Sequence, residues 1–266
     1  MLLDYNKLGG LRFGLLGLAI MICLFLLLPI LFIAALSFGS SQWLIFPPPG
    51  WTLRWYEELF NDPRWLASAF TSFKIAVIVT LFSVTIGFFA ALALNRGQFK
   101  GREALRVLFL TPMILPVVVL AVALYALFLK FNLAGTTLAF VISHVIIALP
   151  FAILAIGNAL EGFDKAIEDA AILCGASPWQ ARLKVTLPGI KHGLLTAAIF
   201  SFLASWDEVV LAIFMASPSL QTLPVKIWTT LRQDLTPVIA AASTLLIVFT
   251  LILMVLAAFF RKEQKQ

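Results

Sequence analysis

Residues 13–38 read FGLLGLAIMICLFLLLPILFIAALSF, 26 consecutive positions without a charged side chain. A bilayer core about 30 Å thick is crossed by ~20 apolar residues rising 1.5 Å each, so this run alone places the chain in a membrane. Lys7 and Arg12 precede it and Ala35-Leu36-Ser37 loosely resembles a signal-cleavage site. The run is longer than the about 7–15 residues of a signal's apolar region, and it is expected to remain as a transmembrane helix. The same ruler finds five further segments, at 75–94, 107–129, 134–160, 194–216 and 238–260. Of 266 residues, 62% are hydrophobic and 12% charged, which excludes a water-soluble globule. The six spans leave no block for a separate soluble domain, so residues 1–266 are expected to form one all-α polytopic transmembrane domain.

In such a chain the formal charge of +6 points to orientation in the bilayer and not to a nucleic-acid partner. Lysine and arginine number 13 in the termini and the loops on their side, against five (Arg54, Arg64, Lys130, Lys226 and Arg232) on the other. Both termini are therefore expected in the cytoplasm, with the loops at 39–74 and 217–237 outside. Lys74 precedes the second span, where it can reach the interface. Cys23 and Cys174 show neither disulfide-framework nor zinc spacing.

The first outer loop carries Pro47-Pro48-Pro49-Gly50, then Trp51, Trp55 and Leu59 at spacings of four, which on a helix form one apolar stripe. Docking of an extracytoplasmic partner and interfacial anchoring by tryptophan both fit, and spacing alone favours anchoring. The cytoplasmic loop at 161–191 is longer than a simple connection needs. Ile167, Ala170, Ala171 and Cys174 recur at helical spacing, and Gly175 supplies a C-terminal stop. Ser177-Pro178-Trp179-Gln180 then combines an N-cap hydroxyl, a proline at the first helical position and a glutamine that completes a capping box. This second short helix presents Trp179 and Leu183 beside Arg182 and Lys184, with Pro188 ending it. A lever pressed into another protein and an amphipathic helix on the inner leaflet fit equally from these residues.

The loop is also where the sequence becomes familiar. Asp169-Ala170-Ala171, three residues, Gly175, nine residues and Val185-Thr186-Leu187-Pro188 resemble the EAA loop of permease subunits in binding-protein-dependent ABC importers. That pattern is Glu-Ala-Ala, three residues, Gly, nine residues, Ile, any residue, Leu-Pro. Every interval agrees; Asp169 stands for the glutamate, with Glu168 just before it, and Val185 for the isoleucine. Within the family the chain most resembles the spermidine/putrescine permeases, through Ser143-His144 with Leu149-Pro150-Phe151, Ser205-Trp206-Asp207-Glu208-Val209-Val210 and Leu223-Pro224-Val225-Lys226-Ile227-Trp228. Permeases for other solutes share parts of these stretches.

The resemblance implies the type I importer permease fold and resolves the loop in favour of docking. Asp169, Ala170, Ala171 and Gly175 would form the first part of an ATPase-coupling element. Ser177, Trp179 and Leu183 would belong to the inserted helix, and Leu187 and Pro188 would close the motif. It also implies two cytoplasmic ATPase subunits carrying ATP and Mg, a second homologous permease, an extracytoplasmic binding protein, and a place in the bacterial inner membrane. The chain itself would bind no cofactor.

Asp207 and Glu208 are the carboxylates in the middle of a span, about 22 Å along a helix from its cytoplasmic end. Acids there face a cavity or a partner. On a continuous helix Ser201, Ser205 and Glu208 share a face, with Asp207 turned by ~100°. One reading makes this face, with Trp206 for cation-π contact and His144 nearby, a transient site for a cationic solute. The other neutralises both acids in a subunit interface, and gives His144 a hydrogen bond between helices. Pro112, Pro116 and Pro150 are expected to mark bends.

No GxxxxGK[ST] phosphate loop, metal-ligand spacing or nucleophile motif occurs, so neither an ATPase nor another enzyme is expected. The main alternative is an ABC permease for another small solute, such as an amino-acid-like compound, a phosphonate or an opine. An ion-coupled secondary transporter would explain the acids but not the loop, and an assembly protein would explain neither.

Overall fold

A backbone facing lipid must satisfy its polar groups within one segment, so spans built from these residues form helices. The computed structural model describes residues 11–262 and side chains as far as Leu256; Lys7, Arg261, Lys262 and Lys265 of the charge count lie outside the described side chains. Thirteen helices follow in order among the described residues: α1 (Leu11–Ser37), α2 (Arg54–Asn61), α3 (Pro63–Arg96), α4 (Arg102–Ile114), α5 (Val117–Lys130), α6 (Thr137–Glu161), α7 (Lys165–Leu173), α8 (Pro178–Ala181), α9 (Leu187–Gly189), α10 (Lys191–Trp206), α11 (Val210–Met215), α12 (Leu223–Gln233) and α13 (Pro237–Lys262). The described residues contain no sheet; two isolated bridges, Gly39 with Trp51 and Ser217 with Leu220, tie turns.

α1, α3, α6 and α13 are each long and apolar enough to cross a membrane. The other two expected spans are bent pairs, and counting each as one gives six. The third, expected over 107–129 with bends at Pro112 and Pro116, breaks at Pro116, where α4 and α5 meet at 103°, while α4 continues through Pro112. Pro116 disfavours helical geometry in the residue before it, and Leu115 is accordingly extended at φ −69° and ψ 139°. The fifth was expected over 194–216, yet α10 ends at Trp206, residues 207–209 lie between helices, and α11 resumes at Val210. Upstream, Pro188 does not end the short helix. The backbone widens into a π turn over Arg182–Thr186, continues through α9, and bends by 73° into α10. A wider turn ahead of Pro188 relieves the clash of its ring with the preceding carbonyls. α3 begins twelve residues before Ile75, so Lys74 lies inside that helix.

Two compact units divide the chain. Among the described residues, one takes in 11–62 with Thr230–Val248, the other Pro63–Thr229 and 249–262. In the first, the proline turn folds the chain back so that Ser40 N–H donates to Gly50 O and Thr52 N–H to Phe38 O. That pairing occupies the backbone around Trp51, and α2 starts only at Arg54. The expected stripe is therefore shortened: Trp51 is 70% exposed and off the helix, whereas Trp55 and Leu59 are buried. Trp55 Nε1 donates to Gly39 O at 2.6 Å, and Ser37 Oγ lies 2.7 Å from Tyr56 Oη. Of α1 only Leu36 and Ser37 are buried; a helix apolar on every side needs lipid or another subunit around it.

In the second unit α3, α6 and α10 pack together through small residues. A Cβ on Gly87 would come within 2.8 Å of Ala152 Cβ, and one on Gly193 would overlap Ala159 Cβ. Backbones brought this close gain dispersion contacts, which carry helix association in lipid. Phe88, Ile156 and Leu160 fill the core near one end of this group, and Ile75, Phe140 and Leu211 near the other. Ser72 Oγ accepts from Leu223 N–H at 2.7 Å, fixing the start of α12.

Candidate functional site

Two regions hold the residues singled out in the sequence. In the 161–191 segment, Asp164 caps α7 by accepting from Ala166 N–H at 2.9 Å. The helix closes where Cys174, Gly175 and Ala176 donate to Ala170, Ile172 and Ala171 carbonyls, with Gly175 at φ +95°. A Cβ on Gly175 would meet nothing within 4 Å, so the position needs glycine for its backbone and not for space. The expected capping box is present: Ser177 Oγ accepts from Gln180 N–H at 3.2 Å and Gln180 Oε1 from Ser177 N–H at 3.0 Å.

Of the four residues at helical spacing along α7 and its C-cap, Ala171 alone turns inward. Ile167, Ala170 and Cys174 are exposed, while Glu168 is 4% exposed with Ala171 and Ile172 half-buried on the same side. Glu168 accepts from Thr186 Oγ1 at 2.9 Å and pairs with Arg182 Nε at 3.4 Å. Its spacing from Ala171 and Ile172, i+3 and i+4, is the signal in the sequence that places it on their side of the helix. Asp169, the motif's acid, is exposed, as are Ser177 and Pro188; Leu187 is half-buried. Leu173 is 88% and Leu183 39% exposed. Trp179 is only partly free: its ring stacks on Phe89 of α3, centroids 5.9 Å apart and planes 11° from parallel.

The second region is the break after α10. Asp207 is the C-cap residue and Glu208 follows it outside any helix, so Glu208 does not share a helical face with Ser201 and Ser205. Its Oε1 accepts from Leu211 N–H at 2.7 Å and caps α11. Asp207 is exposed, and its Oδ1 accepts a long 3.4 Å bond from Thr250 Oγ1 on α13. Ser201 and Ser205 are buried, and Ser205 Oγ lies 2.9 Å from Nδ1 of the fully buried His144, joining α6 to α10. Trp206 is packed with Phe202 at 5.8 Å and Phe249 at 4.7 Å, which leaves no open ring face for a cation. The break thus holds Asp207 and Glu208 together, and sets His144, Ser201, Ser205 and Trp206 behind them in the helix packing.

Two helix ends of opposite dipole meet at this break, and the N–H end of α11 is answered by Glu208. The C-terminal end of α10 carries roughly half a negative charge in its free carbonyls, and two carboxylates stand beside it. Broken helices with their carbonyl ends at the break are a recurrent way of holding cations within membranes. Among the described residues, no three His, Cys, Asp or Glu side chains are grouped to hold a metal ion.

Residues 83–266 match the family described as binding-protein-dependent transport system inner membrane component. Over 240 residues the chain is 30% identical to the spermidine/putrescine transport system permease protein PotC of Escherichia coli (strain K12), covering 90% of each. Over 230 residues it is 30% identical to the putrescine transport system permease protein PotI of the same organism, covering 84% of this chain and 82% of that one. Among solved structures, a chain of a bacterial ABC transporter involved in the import of the acidic polysaccharide alginate superposes with a TM-score of 0.71 at 16% identity, covering 92% of this chain and 95% of that one.

Proposed function

The chain belongs to the family of binding-protein-dependent transport system inner membrane components, and from that premise we propose that the solute it helps to carry is a polyamine, spermidine or putrescine. It is a non-catalytic, multi-pass permease subunit of an ABC importer of the type I fold, with ATP hydrolysed by a partner. The observation that carries the solute reading is the pair Asp207 and Glu208 at the carbonyl end of α10, a cation-favouring break in a chain whose relatives PotC and PotI are polyamine permeases. A flexible polyvalent cation moving along the pathway would exchange hydration for these carboxylates, with Ser201, Ser205 and His144 setting the helix geometry behind them.

The rest of the assembly follows from the same reading. Both termini and the 161–191 segment face the cytoplasm, where Asp169, Ala170, Ala171, Gly175, Leu173 and Leu183 meet the ATPase. Two ATPase subunits, a second homologous permease and an extracytoplasmic binding protein complete it. ATPase closure presses the segment, α10 shifts, the binding protein releases solute past the break, and hydrolysis resets the inward-open state.

The test is uptake of labelled spermidine and putrescine by source cells that lack this chain and any parallel system. Wild type is expected to restore uptake, and Asp207→Asn with Glu208→Gln to fail while the ATPase still co-purifies. Uptake unaffected by deletion would remove the polyamine reading; full uptake by the double variant would take the acids out of the pathway.

A further inference from the structure

Of the groups in the 161–191 segment, the least expected is a carboxylate one residue away from the motif's own acid. Glu168 is 4% exposed, and both its oxygens are engaged, one by Thr186 Oγ1 at 2.9 Å and one by Arg182 Nε at 3.4 Å. Arg182 and Thr186 are the two ends of the π turn, so one side chain of α7 spans it from end to end. The turn leads through α9 into α10. At that junction Gly189 admits the ring of Phe163 where any Cβ would overlap it. Phe163 O and Leu160 O in turn accept from Arg96 at the end of α3, at 2.9 and 3.1 Å.

We propose that Glu168 is a positioning residue for coupling, clamping α7 to the π turn so that a push on the segment reaches α10, α6 and α3 as one displacement. The inference rests on the docking role given to this segment above. Apart from the clamp, α7 is joined to the π turn by the 174–177 connection, by α8 and by the apolar packing between these short helices, all of which a load on α7 can flex before it moves α10. A buried carboxylate with both oxygens bonded resists such bending, because separating the arms strands it away from water.

The experiment uses the complete transporter in liposomes and reads ATP hydrolysed per labelled spermidine imported. Glu168→Ala is expected to keep hydrolysis near wild type and lower import about tenfold, the scale of losing a hydrogen bond to a charged group. Thr186→Val should move the ratio in the same direction, Thr186→Ser should leave it unchanged, and Glu168→Gln, which still accepts from Thr186, should fall between. Hydrolysis and import falling in equal proportion, or a ratio unchanged in both Glu168→Ala and Thr186→Val, overturns the proposal. A wild-type chain that retains no ATPase would instead refute the docking reading itself, so the two failures are distinct.

Discussion

Replacing Gly175 by alanine isolates a single physical term. The residue sits at φ +95° and a Cβ there meets nothing within 4 Å, so the added methyl group brings no clash and only the left-handed backbone opposes it. An ordinary L-residue in that region costs about 1–2 kcal/mol. The equilibrium between the bent segment and a rearranged one therefore moves by a factor of about 5–30. Asparagine visits the same region at lower cost, and Gly175→Asn should lose much less. The assay is a titration of purified ATPase onto the detergent-solubilised permease, reading Kd for wild type, Gly175→Ala and Gly175→Asn. Affinity is expected to fall by that factor for alanine and by no more than about twofold for asparagine, in line with the smaller penalty. Wild-type affinity in Gly175→Ala would refute the backbone argument. Equal losses for both variants would shift the explanation to side-chain bulk at the docking face.

At the break, Glu208→Gln should keep the cap on Leu211 N–H while removing the charge, whereas Glu208→Ala removes both; thermal unfolding of the purified complex should show a loss of about 1 kcal/mol for alanine alone, while uptake falls in both. Gly193→Leu should drive a side chain into Ala159 and destabilise the packing of α6 on α10 by about 1–3 kcal/mol or more, visible as a lowered Tm. Gly14→Leu, where a Cβ meets nothing within 4 Å in this chain, should bring no such clash and no loss of Tm in the isolated subunit, and serves as the control.

What the sequence made legible was local. Apolar runs located the spans because lipid imposes one length and one composition on them. The capping box at Ser177 and the stop at Gly175 were readable because each depends on residues within a few positions. The two prolines in the third span show where such reading ends. Pro112 lies within α4 and the helix continues past it, while Pro116 separates two helices at 103°. Their local signals are alike, and residue type alone does not tell which of the two breaks the helix. Glu168 was hidden behind its neighbour Asp169 for a related reason, since its partners are 14 and 18 residues away. The bond between His144 and Ser205 closes over 61 residues, and spacing along one helix could offer it only as one of two alternatives.

The two breaks in the bent spans also differ in chemistry, and the difference bears on which of them meets a solute. At Leu115–Pro116 the helix opens because proline has no N–H to donate, and residues 107–129 hold no charged side chain, so this break bends the chain without offering a binding group. At 207–209 the opening leaves the carbonyl end of α10 beside two carboxylates that are not equally available. Glu208 already holds Leu211 N–H at 2.7 Å, so a cation on that oxygen competes with the cap of α11. Asp207 is exposed and holds only Thr250 at 3.4 Å, so a cation there displaces little. On the pathway proposed above, first contact would belong to Asp207. On that pathway a divalent or longer cation could engage Glu208 as well, and doing so through the Oε1 that holds Leu211 N–H would disturb the start of α11 in a way that a small monovalent one held at Asp207 would not.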